Sequence, residues 1–204
     1  MSTSNAKRTL KRPALRRIYL SLGSNMGKRR ANIREALRRL PRERIALRRI
    51  SSLYRTEPVE YREQRWFVNC VVEAATKLAP VPLLRSLKRI EKQLGRAPGI
   101  PKGPRPIDID ILFYENRVVR QRALRIPHPR FADRRFVLIP LAEIAPALCD
   151  PVSGLTLSRL MRRTSDRSRV IKMANHPLRI ESQRKAAVGK PSAANRPSAT
   201  ERKA

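Results

Sequence analysis

Two aspartates separated by a single residue, Asp108 and Asp110, are the first place in this sequence where chemistry could be done. They sit in the stretch GPRPIDIDI, residues 103–111. Along a strand, side chains at i and i+2 share a face, so both carboxylates project together while Ile107, Ile109 and Ile111 enter the opposite, apolar side. Like charges so placed repel. A divalent cation relieves the repulsion, and hard oxygen ligands suit Mg²⁺ when phosphate oxygens supply the other positions. An exposed sheet face with two solvated Asp is an equal account of the spacing alone. Arg96, Lys102 and Arg105, in the proline-stiffened segment 96–106, favour the metal because they offer cations where a metal-bound polyphosphate would lie.

Two further segments bear on chemistry. Residues 126–136, IPHPRFADRRF, bring His128, Arg130, Arg134 and Arg135 together with Phe131 and Phe136 behind two stiffening prolines. A lone His is commonly structural, but guanidinium forks match phosphate geometry, and that gives the segment an anion-recognition character. Residues 20–27, LSLGSNMG, make a glycine-containing turn able to open a helix. It is not a P-loop, because the Lys-Ser/Thr pair is missing and the glycine spacing differs.

The elements that must position these residues follow from periodicity. Residues 18–22 form a short apolar strand, and Asn25 is placed to cap a helix through Arg39 whose face carries Ile33, Ala36, Leu37 and Leu40. A strand over 45–53, a polar loop over 54–65 and a strand over 66–76 come next. Pro82 suits the first turn of a helix striped with Leu83, Leu84, Leu87, Ile90 and Leu94 and closed by Gly95. The strand 107–114 turns at Asn116 into a hairpin partner at Val118 and Val119, and 136–145 is helical with a kink or break at Pro140. The order β-α-β-β-α-β predicts an α+β protein with a ferredoxin-like sheet and packed helices, which are expected on one face. Residues 18–163 form this single domain; 1–17 and 164–204 are poor in large apolar groups and are read as disordered basic tails.

The formal charge of +31 is spread along the chain, so a generally basic surface explains it better than a dedicated polyanion partner. Aromatic content of 4% argues against a stacking platform for single-stranded nucleic acid. No apolar run approaches the roughly 18 residues of a membrane span. Cys70 and Cys149 lie far apart in apolar contexts and read as buried or half-buried thiols of a reducing compartment; with only His128 and His176 available, a His/Cys zinc site is nearly excluded. The acid-free N-terminus superficially resembles an organelle transit peptide, but a cytoplasmic protein with a disordered leader accounts for it equally.

Six strings, YLSLGSNMG, SSLYRTEPV, WFVNCVVE, RIEKQLGR, GPRPIDIDIL and IPHPRFADRRFVLIPLAEIAP, together resemble the 6-hydroxymethyl-7,8-dihydropterin pyrophosphokinase family of folate biosynthesis, in its order and spacing. The resemblance implies a ferredoxin-like domain that transfers the β,γ-pyrophosphoryl unit of ATP to the hydroxymethyl oxygen of a dihydropterin, releasing AMP. It implies that Asp108 and Asp110 hold two Mg²⁺ ions, with Asp110 able to help accept the hydroxyl proton. It gives Arg96 and Arg105 a catalytic role on the phosphates, and places Glu91, Arg105, Ile111, His128 and Arg134 at the ATP site. Thr56, Pro58, Val59, Phe67, Asn69 and Phe136 match the pterin site. Lys28, Glu57, Lys102 and the arginine-free loop 97–101 depart from the family's pattern, which bears on loop closure. A monomer is expected, nucleic-acid contact could come through the basic tails, and no fused second catalytic domain is expected in this chain. The rival reading is a non-catalytic RNA-binding protein that exploits the charge, with affinity falling steeply in salt.

Overall fold

β1 (Arg16–Ser24) and β4 (Phe67–Thr76) pair antiparallel at the centre of a six-stranded sheet, both long and buried along almost their whole length, on two faces. The computed structural model describes residues 14–97 and 103–173. Beyond β1, β5 (Asp108–Tyr114) pairs antiparallel, and beyond β4 lie β2 (Ile45–Ile50) and β3 (Tyr54–Thr56), which take successive stretches of the same β4 edge. Counting β2 and β3 as one interrupted strand gives the expected ferredoxin-like order, with β8 (Val170–Lys172) added outside β3.

α1 (Arg29–Arg39) turns Ile33, Ala36 and Leu37 inward, and α2 (Pro80–Gln93) turns Leu83, Leu87 and Ile90 inward at the three-to-four-residue spacing read from sequence. Both cover one side of the sheet through a core that includes Leu20, Leu22, Ile107, Ile109 and Ile111. The other side is also covered. There α3 (Arg135–Ile144) and α4 (Leu157–Arg163) pack with Tyr19, Val71, Leu112 and Phe113, so the helices lie on both faces and not on one. A bulge between Tyr19 and Leu20 lets consecutive Leu112 and Phe113 of β5 both enter this second core. α3 continues through Pro140 without a break.

Several local expectations differ. Asn25 does not cap α1: Lys28 takes that position and makes no side-chain cap bond. Val119 does not pair with β5; β6 (Val119–Gln121) forms a separate two-stranded sheet with β7 (Leu124–Ile126). β3 lies inside the stretch read as a polar loop. The domain also extends past both expected boundaries. Arg16 and Arg17 belong to β1, and 164–173 are ordered: the Asp166 carboxylate accepts from Arg135 N at 2.8 Å, and Met173 N donates to Leu53 O at 2.9 Å beside β8. An edge strand is held by main-chain bonds that any composition can make, so Arg- and Ser-rich residues concealed it. The rest of both tails, and Lys102 with the loop 98–102, lie outside the described residues. Cys70 is buried as expected, whereas Cys149 is exposed. No helix among the described residues is long and apolar enough to cross a membrane.

Candidate active site

One end of the sheet, on the α3 side, opens into a cleft of about 270 Å³. Cross-strand register builds its floor. Asp108 stands opposite Gly23, which stands opposite Asn69; Asp110 stands opposite Ser21, which stands opposite Val71. The strand alternation therefore does bring Asp108 and Asp110 to one face, while Ile107, Ile109 and Ile111 are buried on the other.

The two carboxylates are not equivalent. Burial alone would raise Asp108, but Arg105 and Arg96 beside it outweigh that and hold it below the usual carboxylate range. Arg105 Nη1 donates to Asp108 Oδ2 at 2.7 Å, and Arg96 Nη1 donates to Oδ1 at 2.5 Å. Burial and the neighbouring charge of Asp108 push Asp110 up. Asp110 is thus the carboxylate more ready to hold a proton. Among the described residues no group of three or more His, Cys, Asp or Glu could enclose a metal, so the protein offers two oxygen-bearing side chains and leaves the other positions to a ligand or water. That donor set fits magnesium, which keeps several waters and shares substrate phosphates.

Cations surround the pair. Arg96 also donates to the buried Glu91 at 2.7 Å, and Glu91 in turn accepts from Ile109 N at 2.7 Å and from Lys88 at 2.9 Å. Burial raises the Glu91 carboxyl despite these donors. Glu91 is 2% exposed and lies beneath the cleft, as the anchor that aims Arg96 and fixes the start of β5. The His128 imidazole is pushed down by burial, against the pull of Asp110. Its Nδ1 accepts from Arg130 N at 3.2 Å, which leaves the proton on Nε2. Arg134 donates to Glu60 at 3.1 Å and lies 5.5 Å from the Phe136 ring centroid.

The opposite end carries the aromatic and aliphatic side chains. Phe67 and Phe136 line it with Pro58 and Val59, and the buried Asn69 amide donates to Thr56 Oγ1 at 2.7 Å. Gly23 makes room for that amide: a Cβ there would stand 2.3 Å from Asn69 Oδ1.

The cleft thus brings together Arg96, Arg105, Asp108, Asp110, His128, Arg134, Thr56, Pro58, Val59, Phe67, Asn69 and Phe136. Glu91 and Ile111 stand apart from it, Ile111 within the core behind β5. Lys88, Gln64 and Glu60 line it without having been singled out in the sequence, since a helix-face Lys and polar loop residues look like solvated surface. Asn25 is a further omission. Its side chain accepts from Arg105 N at 2.7 Å and donates to Gln64 at 2.8 Å, tying the arginine loop to the opposite wall.

Residues 19–146 match a family model described as 7,8-dihydro-6-hydroxymethylpterin-pyrophosphokinase (HPPK). Over 135 residues the chain is 40% identical to the 2-amino-4-hydroxy-6-hydroxymethyldihydropteridine pyrophosphokinase of Aquifex aeolicus, covering 66% of this chain and 84% of that protein. A protein of the same name from Bacillus subtilis is 42% identical over 127 residues, covering 62% and 76%. Other curated relatives are much longer. The chain spans 26% of a mitochondrial folate synthesis bifunctional protein from Pisum sativum, at 46% identity over 65% of this chain, and 20% of a folic acid synthesis protein from Pneumocystis carinii. A crystal structure of wild-type Plasmodium falciparum HPPK-DHPS with pterin and p-hydroxybenzoate superposes with a TM-score of 0.59 at 18% identity, over 74% of this chain and 43% of that one, which is a likeness of fold.

Proposed function

This chain belongs to the 7,8-dihydro-6-hydroxymethylpterin-pyrophosphokinase family, and we propose that its cleft transfers pyrophosphate from ATP to the hydroxymethyl group of 6-hydroxymethyl-7,8-dihydropterin. The observation that carries this is the division of one cleft into two ends: paired carboxylates among arginines at one, two aromatic rings and a buried amide at the other. The first suits a metal-bound polyphosphate, the second a flat, donor-edged ring.

Asp108 and Asp110 would hold Mg²⁺, as two ions, and the metal would supply charge neutralisation for the phosphates and the phosphoryl centre. Arg96 and Arg105 are held at Asp108 by charge-assisted hydrogen bonds, at the spot where triphosphate oxygens would need donors. His128, with its proton on Nε2, and Arg134 donate to the nucleotide. Phe67 and Phe136 sandwich the pterin, Asn69 reads its edge, and Thr56 fixes the Asn69 amide. The hydroxymethyl oxygen attacks the β-phosphorus, the bond from that phosphorus to the α–β bridging oxygen breaks, AMP leaves, and the hydroxyl proton passes to a nearby base, for which Asp110 is the candidate.

Incubating the protein with Mg²⁺, ATP and 6-hydroxymethyl-7,8-dihydropterin should release AMP in step with pterin diphosphate. Asp108→Ala should nearly abolish both. Failure of the intact chain to form AMP would overturn the assignment.

A further inference from the structure

Arg169 lies outside residues 19–146 and outside the lining of the cleft, yet it touches both ends of the loop that carries Pro58 and Val59. At the loop's entry, Glu57 N donates to Arg169 O at 3.1 Å, while Arg169 N and Nε donate to the two Glu57 carboxylate oxygens at 2.8 and 2.7 Å. These bonds extend the pairing of β3 with β8 one step past Thr56 and Val170. At the loop's exit, the guanidinium groups of Arg55 and Arg169 both lie over the Trp66 ring, each 5.0 Å from its centroid. Trp66 immediately precedes Phe67, whose ring lines the cleft.

We propose that Arg169 is a positioning residue that staples residues 57–66 in the conformation that receives the pterin; this rests on the function proposed above for that end of the cleft. Between the two stapled ends lie Pro58, Val59, Glu60 and Gln64, all lining residues. Arginine suits the task because its planar group can fork onto a carboxylate by one edge and stack on an indole by its face, which a lysine ammonium cannot do together. An exposed ion pair by itself contributes little. The effect comes from closing both ends of one loop at a single side chain, which reduces the ordering required when a ligand binds.

Removing the staple should raise the KM for the pterin by about three- to tenfold, with kcat and the KM for ATP within about twofold of the wild type. The test uses the full chain and compares wild type with Arg169→Ala, Arg169→Lys and Glu57→Gln. Trp66 is the one tryptophan in the sequence, so acrylamide quenching of its fluorescence reports the staple without reference to activity. Quenching should rise in Arg169→Ala and rise less in Arg169→Lys, the pterin KM should follow the same order, and Glu57→Gln combined with Arg169→Ala should add little to Arg169→Ala. Unchanged quenching overturns the staple. A pterin KM that stays constant, or that rises together with the ATP KM, overturns its positioning role. If the wild type forms no AMP, the function assigned to the cleft fails, and the quenching comparison alone then decides whether the staple exists.

Discussion

Replacing Gly23 by Ala tests the floor of the cleft with one methyl group. Gly23 sits in β1 with ordinary extended backbone, so an alanine there is not strained by its φ angle; the whole effect is steric. The new Cβ would stand 2.3 Å from Asn69 Oδ1, against ordinary carbon–oxygen contacts of about 3.3 Å, so the amide must retreat by about 1 Å. Asn69 is 4% exposed and Thr56 1% exposed, leaving little room to retreat without breaking the 2.7 Å bond between them. Overpacking and a buried donor left without its acceptor together cost about 2 kcal/mol. For a domain of this size that lowers Tm by about 4–8 °C. A displacement of about 1 Å in a group that orients substrate reduces kcat/KM for the pterin by about 10- to 100-fold, and the KM for ATP should hardly move. Differential scanning calorimetry and the AMP assay with each substrate varied in turn measure both effects. The double variant Gly23→Ala, Asn69→Ala should recover stability relative to Gly23→Ala, because the clashing amide is gone. If Gly23→Ala melts within about 1 °C of the wild type and keeps its pterin KM, the account of Gly23 as space for the Asn69 amide is wrong.

Other outcomes follow from the same geometry. Asp108→Asn and Asp110→Asn should each lower AMP formation by about 1,000-fold or more, yet move stability in opposite directions: the first removes a carboxylate paired with two arginines, the second an unfavourable buried charge, and calorimetry without substrates distinguishes them. The Glu143 carboxyl would be raised by burial, but Ser52 and Tyr54 donate to it and hold it below its unfolded value of 4.5. A depressed acid contributes stability above that value and loses it as pH falls through its folded pKa. Glu143→Gln should therefore melt below the wild type at pH 7, with the gap closing in acid below pH 4.5, as thermal scans across pH would record. Burial pushes the Cys70 thiol up to about 12 while Cys149 is exposed, so a thiol reagent at pH 8 should label one cysteine in the native protein and both in denaturant.

The sequence by itself determined the parts of this protein in which chemistry and periodicity are local. Alternation along Asp108, Ile109 and Asp110 placed two carboxylates on one face, because strand geometry has a period of two wherever the strand lies. The stripes of α1 and α2 and the ferredoxin-like strand order were legible for the same reason, and the ordered motifs pointed to the family that the comparisons then matched. What only the tertiary structure decided depends on partners distant in the chain. Asn25 reads as a helix cap by local rules, but Arg105, eighty positions away in sequence, claims its side chain. Glu91 lines up as a helix-face acid and becomes the buried anchor of Arg96 and β5. α3 covers the sheet face that no periodicity could assign, and residues 164–173 look like a tail until β3 offers them an edge. Propensity and spacing act over a few residues, whereas desolvation, ion pairing and edge pairing act between whatever the fold brings within a few ångströms. Arg169 joins Glu57 and Trp66 on those terms alone.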